Sequence, residues 1–146
     1  MLKPGTYMFE ASGAKGTIEV PGKPVAEVES LRALVKAPAV TYLTVHVDNR
    51  QGTEGVNMYG VSLFTPAGEE LKYEGVSTYI DSLRPGDAPA ETYNKFINAS
   101  NKHLGMADPH EVKDFVLTGP PVPAEFTSVT VCPTGAYDPV EAVPAP

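Results

Sequence analysis

The sequence predicts a mainly β protein: an antiparallel immunoglobulin-like β-sandwich of seven to nine strands, with one short helix inserted near residues 89–103. Three observations carry that expectation. Apolar and polar residues alternate with a period of two in several short runs, the signature of half-buried strands. Fifteen Pro and thirteen Gly in 146 residues favour a turn-rich β architecture over a helical bundle. Turn signals recur at the close intervals expected of a sandwich. The absence of Trp and the single cysteine, Cys132, exclude an antibody-type Cys-Trp-Cys core and any intramolecular disulfide.

Tyr7, Phe9 and Ala11 alternate with Met8 and Glu10, and Ser12 to Gly16 then turns the chain into Thr17-Ile18-Glu19-Val20, which reads as a hairpin. Pro21-Gly22-Lys23-Pro24 ends it. Residues 25–34 fit two periods. Glu27, Glu29 and Arg32 interleave with apolar positions as in a half-buried strand, whereas Val28, Leu31, Arg32 and Val35 fit helical spacing. The prolines on both sides make the strand the preferred reading. Val40 to Asn49, dominated by β-branched and aromatic residues, is the strongest strand and is expected at the centre. A polar loop, Arg50 to Gly55, leads into a strand from Val56 to Phe64, and Thr65-Pro66-Ala67-Gly68 has turn composition. Glu69 to Tyr73 and Val76 to Ile80 read as two short strands, or one bent at Gly75.

The helix is expected from about residue 89 to 103. Asp87 offers a cap, Pro89 a tolerated early proline and Glu91 an acidic first turn, while Tyr93, Phe96, Ile97, Ser100 and Leu104 follow at helical spacing. Gly105 and Pro109 close it off. Glu111 to Thr118 and Phe126 to Cys132 are the last expected strands. Residues 1–132 therefore read as a single domain. Residues 133–146, with four Pro and no Lys or Arg, read as an extended or disordered tail.

Eleven basic against eighteen acidic residues give a formal net charge of -7, which disfavours nucleic acid and anionic membrane surfaces as partners. No apolar run approaches the roughly 18 residues of a transmembrane helix. Met1 to Gly5 carries no apolar leader after Lys3, so the chain reads as cytoplasmic unless a leader precedes it.

Three segments resemble bacterial immunoglobulin-like domains of unknown function found in secreted proteins and lipoproteins. They are Val45-His46-Val47-Asp48-Asn49, the run from Val61 to Tyr73 with its Thr65-Pro66-Ala67-Gly68 turn, and Val112 to Pro123 with Val129-Thr130-Val131. The resemblance spans residues 25–132. The family's Pro-Gly-acidic corner is matched by Pro85-Gly86-Asp87, which lies far upstream of Phe115 rather than directly before it. What the resemblance implies is an extracellular or cell-envelope location and a binding or structural role; it transfers no catalytic residue.

Chemistry-bearing residues are few. His103, Asp108, His110 and Glu111 would form a surface nitrogen and oxygen metal site if the helix end folded onto the following loop, although a solvated loop is the default expectation. Asp48, Asn49 and Glu54 flank one loop with oxygen ligands but lack EF-hand spacing. Ser62 and Ser77 follow a Gly-Val pair as in a nucleophile elbow but lack its closing Gly. Asn98-Ala99-Ser100 matches a glycosylation triplet. Among seven Tyr and five Phe, the residues expected to face the core are Tyr42, Tyr59, Phe64, Phe115 and Phe126. Tyr73, Tyr79 and Tyr93 are expected to reach a surface, where tyrosines together make a binding patch. The resulting expectation is a noncatalytic extracytoplasmic binding or interaction module with a protein or cell-envelope partner and no cofactor. The alternatives are a structural or assembly protein of a virus or cell surface whose tail engages a neighbour, and then a small hydrolase.

Overall fold

The computed structural model describes residues 1–133 and 138–146. The strands are β1 (Gly5–Ala11), β2 (Ala14–Val20), β3 (Thr41–Asp48), β4 (Gly60–Phe64), β5 (Glu70–Gly75), β6 (Val112–Gly119), β7 (Ser128–Cys132) and β8 (Val140–Pro144). The helices among the described residues are α1 (Ala26–Leu34), α2 (Val76–Leu83) and α3 (Ala90–Lys102).

The eight antiparallel strands among the described residues close into a barrel in the order β1-β2-β3-β6-β5-β4-β7-β8. This corrects the expected immunoglobulin-like sandwich. The alternation along each strand is as expected, but β8 pairs with β1 and β5 pairs with β6, so the strands of the described residues form a closed ring rather than two separate stacked sheets. Each of these closing ladders is only two residues long: Tyr7↔Pro144 with Met8↔Val143, and Glu74↔Thr118 with Gly75↔Leu117. By contrast β3 pairs with β6 over all eight of its residues.

Period-two patterning fills the barrel. Ile18, Val45 and Phe115 lie in one cross-strand row, and Tyr73, Val61, Val131 and Val140 lie in another. Residues of these rows belong to one apolar core with Leu43, Leu117, Leu63 and Phe126, each of them fully buried. Two glycines make room for the aromatic rings. A Cβ on Gly16 would strike the Phe9 ring opposite it, and one on Gly119 would lie 2.6 Å from Cδ1 of Tyr73. The β1–β2 hairpin turns on Ser12 and Gly13, whose φ values of 50° and 82° are those of a type I′ turn.

The helices build a second core on the outer face of the barrel. Tyr42 on β3 points away from the lumen and is covered by Val28 and Leu31 of α1, Val76 and Ile80 of α2, and Phe96 and Ala99 of α3. Residues 26–34 are thus helical rather than a strand. Val28, Leu31 and Val35 recur at i, i+3 and i+7, and Glu29 accepts both arms of Arg32 one turn on as well as the Tyr42 hydroxyl at 2.8 Å. Pro24 precedes the helix, where a proline does no harm. Residues 76–83 are also helical. Their Val, Thr and Ile favour strands locally, but Val76, Ile80 and Leu83 at i, i+4 and i+7 face the same helical core, and burial overrides propensity. Helix α3 lies where the sequence placed a helix, though its N-cap position is Pro89 and no side chain caps it.

The stretch read as an extended or disordered tail contributes β8, whose Val140 and Ala142 face the lumen beside Val131 and Val129. Residues 134–137 of that stretch lie outside the described residues. No helix among the described residues is long and apolar enough to cross a membrane.

Candidate functional site

After its two-residue ladder with β6, β5 ends at Gly75 and the chain turns at once into α2. From Val112 to Val116, β6 therefore pairs with β3 alone. Its other side faces residues 57–59 and the loop after α3. Both walls are held in place by backbone bonds. Asn57 and Tyr59 donate to the carbonyls of Pro133 and Cys132, and Val56 and Ala107 exchange a pair of hydrogen bonds at 2.9 and 2.8 Å. The result is a cleft of about 210 Å³.

The buried rings and chains of Phe115 and Met58 line this cleft together with the exposed side chains of Tyr59 and Leu104. Its charged lining is Lys102, His103, Lys113 and Asp114. Lys113 donates to the Leu104 carbonyl at 3.0 Å and stands 5.4 Å from the centroid of the Phe115 ring. Lys102 pairs with Glu27 of α1 at 2.9 Å. Asp114 is taken by His46 of β3 at 2.6 Å, on the exposed outer face of the barrel. Burial pushes the His103 imidazole below its ordinary pKa; Glu27 opposes that shift, and Lys102 and Lys113 add to it. The Ser77 hydroxyl is buried and donates to the Ser100 carbonyl, which pins the start of α2 to the end of α3.

The residues singled out from sequence are dispersed. His103 lines the cleft, but Asp108 and Glu111 are exposed on the following loop, where the Glu111 carboxylate accepts from the Asp108 backbone N–H at 2.8 Å. His110 is exposed with φ at 80°, and its backbone N–H donates to the Asn49 carbonyl. Among the described residues, no three His, Cys, Asp or Glu side chains stand close enough to share a metal ion. The Asp48 carboxylate is occupied by Arg50, which holds its pKa down at about 2, and the Asn49 side chain donates to the carbonyls of Glu54 and Ala107. These loop residues are tied to one another and to the backbone.

Tyr73, Tyr79 and Tyr93 make no common patch. Tyr73 is wholly buried inside the barrel between Val61 and Gly119. Tyr79 packs half-buried against the helical core, with its hydroxyl buried and unpartnered among the described residues. Tyr93 lies half-buried on α3 under the Arg84 guanidinium, 5.1 Å from the ring centroid. The exposed aromatic among the described residues is Tyr59, at 54%, where the alternation predicts a core position. Phe115 and Phe126 face the lumen as expected, Tyr42 is buried on the outer face, and Phe64 is half-buried.

Neither serine of the elbow-like segments is hydrogen bonded to a histidine. Ser62 donates to Glu70, and Ser77 to the Ser100 carbonyl. The one hydrogen-bonded histidine and carboxylate pair among the described residues, His46 with Asp114, has half or more of each side chain in solvent and sits on the convex wall. Compared with family models, curated proteins and solved structures, the chain matches none of them.

Proposed function

We propose that the protein is a noncatalytic binding module and that the cleft between β6 and residues 57–59 is where it engages a macromolecular partner. One observation carries the reading: a small cleft with a buried apolar inner end and exposed apolar residues at its rim. At about 210 Å³ it falls below the roughly 300–1,000 Å³ of sites that enclose a free small molecule, but it suits one or two side chains of a larger partner. Tyr59 and Leu104 are 54% and 58% exposed, and Met106, packed near Gly55 on the same pair of loops, is 44% exposed. Large apolar side chains grouped around a recess are the usual make-up of a contact surface. The lumen itself is filled with side chains, as in other eight-stranded barrels of small bore.

An assembly role through a free C-terminal tail is less favoured, because residues 140–144 are engaged as β8. The proposed setting, extracellular or at the cell envelope, comes from the resemblance of residues 25–132. Fractionation of cells expressing the chain from its own locus tests it, and recovery in the cytoplasm would overturn it.

The binding role is tested by selecting from a random dodecapeptide library displayed on phage. The expected result is enrichment of peptides that bind the wild-type chain and fail to bind a Tyr59→Ala, Leu104→Ala double variant of unchanged thermal stability. Peptides that bind both proteins equally, or no enrichment at all, would overturn the assignment.

A further inference from the structure

We infer that the cleft receives a carboxylate side chain from an extended acidic segment of a partner protein, with Lys113 and His103 as the groups that meet it. The inference rests on the binding-module reading and adds the chemistry of the partner.

Charge is the first argument. The chain as a whole carries a net charge of -7, yet this cleft holds Lys113, which has no carboxylate partner among the described residues, beside Lys102 and the imidazole of His103. The carboxylates nearby are already engaged: Glu27 by Lys102 and Asp114 by His46. Lys113 spends one of its three N–H donors on the Leu104 carbonyl, which leaves two for an incoming acceptor. Polar donors accompany it, since Asn57 and Thr78 line the same cleft. The first turn of α2, which opens there, contains no acidic residue and no side-chain cap.

Geometry is the second argument. Four consecutive residues of β6, Lys113 to Val116, line the cleft, so the backbone edge of the strand is itself part of the wall. That edge lacks a ladder partner on this side from Val112 to Val116. An extended peptide can lie along such an edge through main-chain hydrogen bonds, its alternate side chains pointing into the recess. The apolar rim of Tyr59 and Leu104 is suited to flanking aliphatic residues. A segment alternating carboxylate and aliphatic side chains matches both features.

The test is a titration of the isotope-labelled full chain, followed by amide NMR, with two blocked hexapeptides. One alternates Leu and Glu, and the other has every Glu replaced by Gln. The expected result is a set of shifts confined to residues 57–59, 103–105 and 112–116, with binding at least about tenfold tighter for the Glu peptide. Lys113→Gln should abolish that preference, Lys113→Arg should restore most of it, and Lys3→Gln, beside β1 and β8 on the opposite side of the barrel, should leave it unchanged. Equal affinity for both peptides overturns the acidic assignment and leaves the binding role standing. Shifts that map outside the cleft, or no shifts while library peptides still bind at Tyr59 and Leu104, overturn it as well. Failure of the library selection itself overturns the underlying role instead.

Discussion

Tyr73→Phe is expected to stabilise the protein, although it removes a polar group from a fully buried residue. Tyr73 faces the lumen on β5, and its hydroxyl has no hydrogen-bond partner among the described residues. Burial alone pushes the phenol up to about 12, with no charge or donor contributing. In the unfolded chain that hydroxyl is hydrated, and stranding it without a partner costs about 1–3 kcal/mol. Phenylalanine removes this cost and leaves a void of roughly 10–15 Å³, worth about 0.3 kcal/mol. The net gain should be about 1–2 kcal/mol, or about 3–6 °C in Tm for a chain of this size. Urea unfolding followed by far-ultraviolet circular dichroism measures the first, and scanning calorimetry the second. A Tyr73→Phe variant less stable than wild type by about 1 kcal/mol or more would refute the reasoning, because it would mean that the hydroxyl has a buried partner such as an ordered water.

Truncating the chain after Pro133 removes β8 and both of its ladders, so the product should lose cooperative thermal unfolding and bind a hydrophobic dye. A sharp transition within a few degrees of wild type would contradict the closed barrel. Gly119→Ala should cost about 1–3 kcal/mol in urea unfolding, since its Cβ would meet the Lys72 carbonyl oxygen at 2.7 Å and backbone cannot step aside. Gly16→Ala should cost a similar amount but recover in a Phe9→Leu background, where the obstructing ring is gone. Glu29 is held below its ordinary pKa of 4.5 by hydrogen bonds from Arg32 and then Tyr42. Its contribution is therefore present above that pH and lost as the pH falls through the lower folded-state value. Glu29→Gln should lower stability by about 1 kcal/mol at neutral pH, a figure kept small because the side chain is 35% exposed, and should flatten the acid limb of a stability–pH curve.

The parts of the fold legible in the sequence are those where one period dominates. The β1–β2 hairpin, β3 and α3 each carry a clean pattern; β3 and α3 lie within a residue of the expected bounds, whereas β2 begins at Ala14, three residues before the expected Thr17, because the turn needs only Ser12 and Gly13. Helices α1 and α2 were obscured because their residues satisfy two periods at once, and β-branched Val76, Thr78 and Ile80 pull the local preference towards strand. What decides is the surface they cover, Tyr42 and Val116 on the outside of the barrel, and a linear pattern does not reveal that. The site was hidden by a break in parity. Val56 and Met58 are buried, and so are Val61 and Leu63, so the alternation changes phase between residues 58 and 61. The backbone is not a strand from 57 to 59, and Tyr59 swings out where a continuous strand would have kept the phase. His103 stands out in the sequence as a metal ligand because His110 and acidic residues follow it; in space its charged neighbours are Glu27, Lys102 and Lys113, only one of them a carboxylate.

Closure and cleft have a common origin. An eight-stranded barrel needs every strand paired on both sides, yet β5 supplies β6 with only two residues before Gly75 hands the chain to α2. Had β5 continued for four more residues it would have covered β6 as far as Lys113, and neither the recess nor the unpaired edge would exist. The helix begins there because Val76 and Ile80 gain a buried position in the core under α1 and α3, which a longer strand would forgo. The apolar cluster outside the barrel thus competes with the ladder inside it. Changes that weaken the outer cluster, such as Ile80→Ala, should loosen the cleft wall before they disturb the lumen. Amide exchange is the direct measure: protection should fall first at residues 76–83 and 112–116, while β1, β2 and β3 keep theirs.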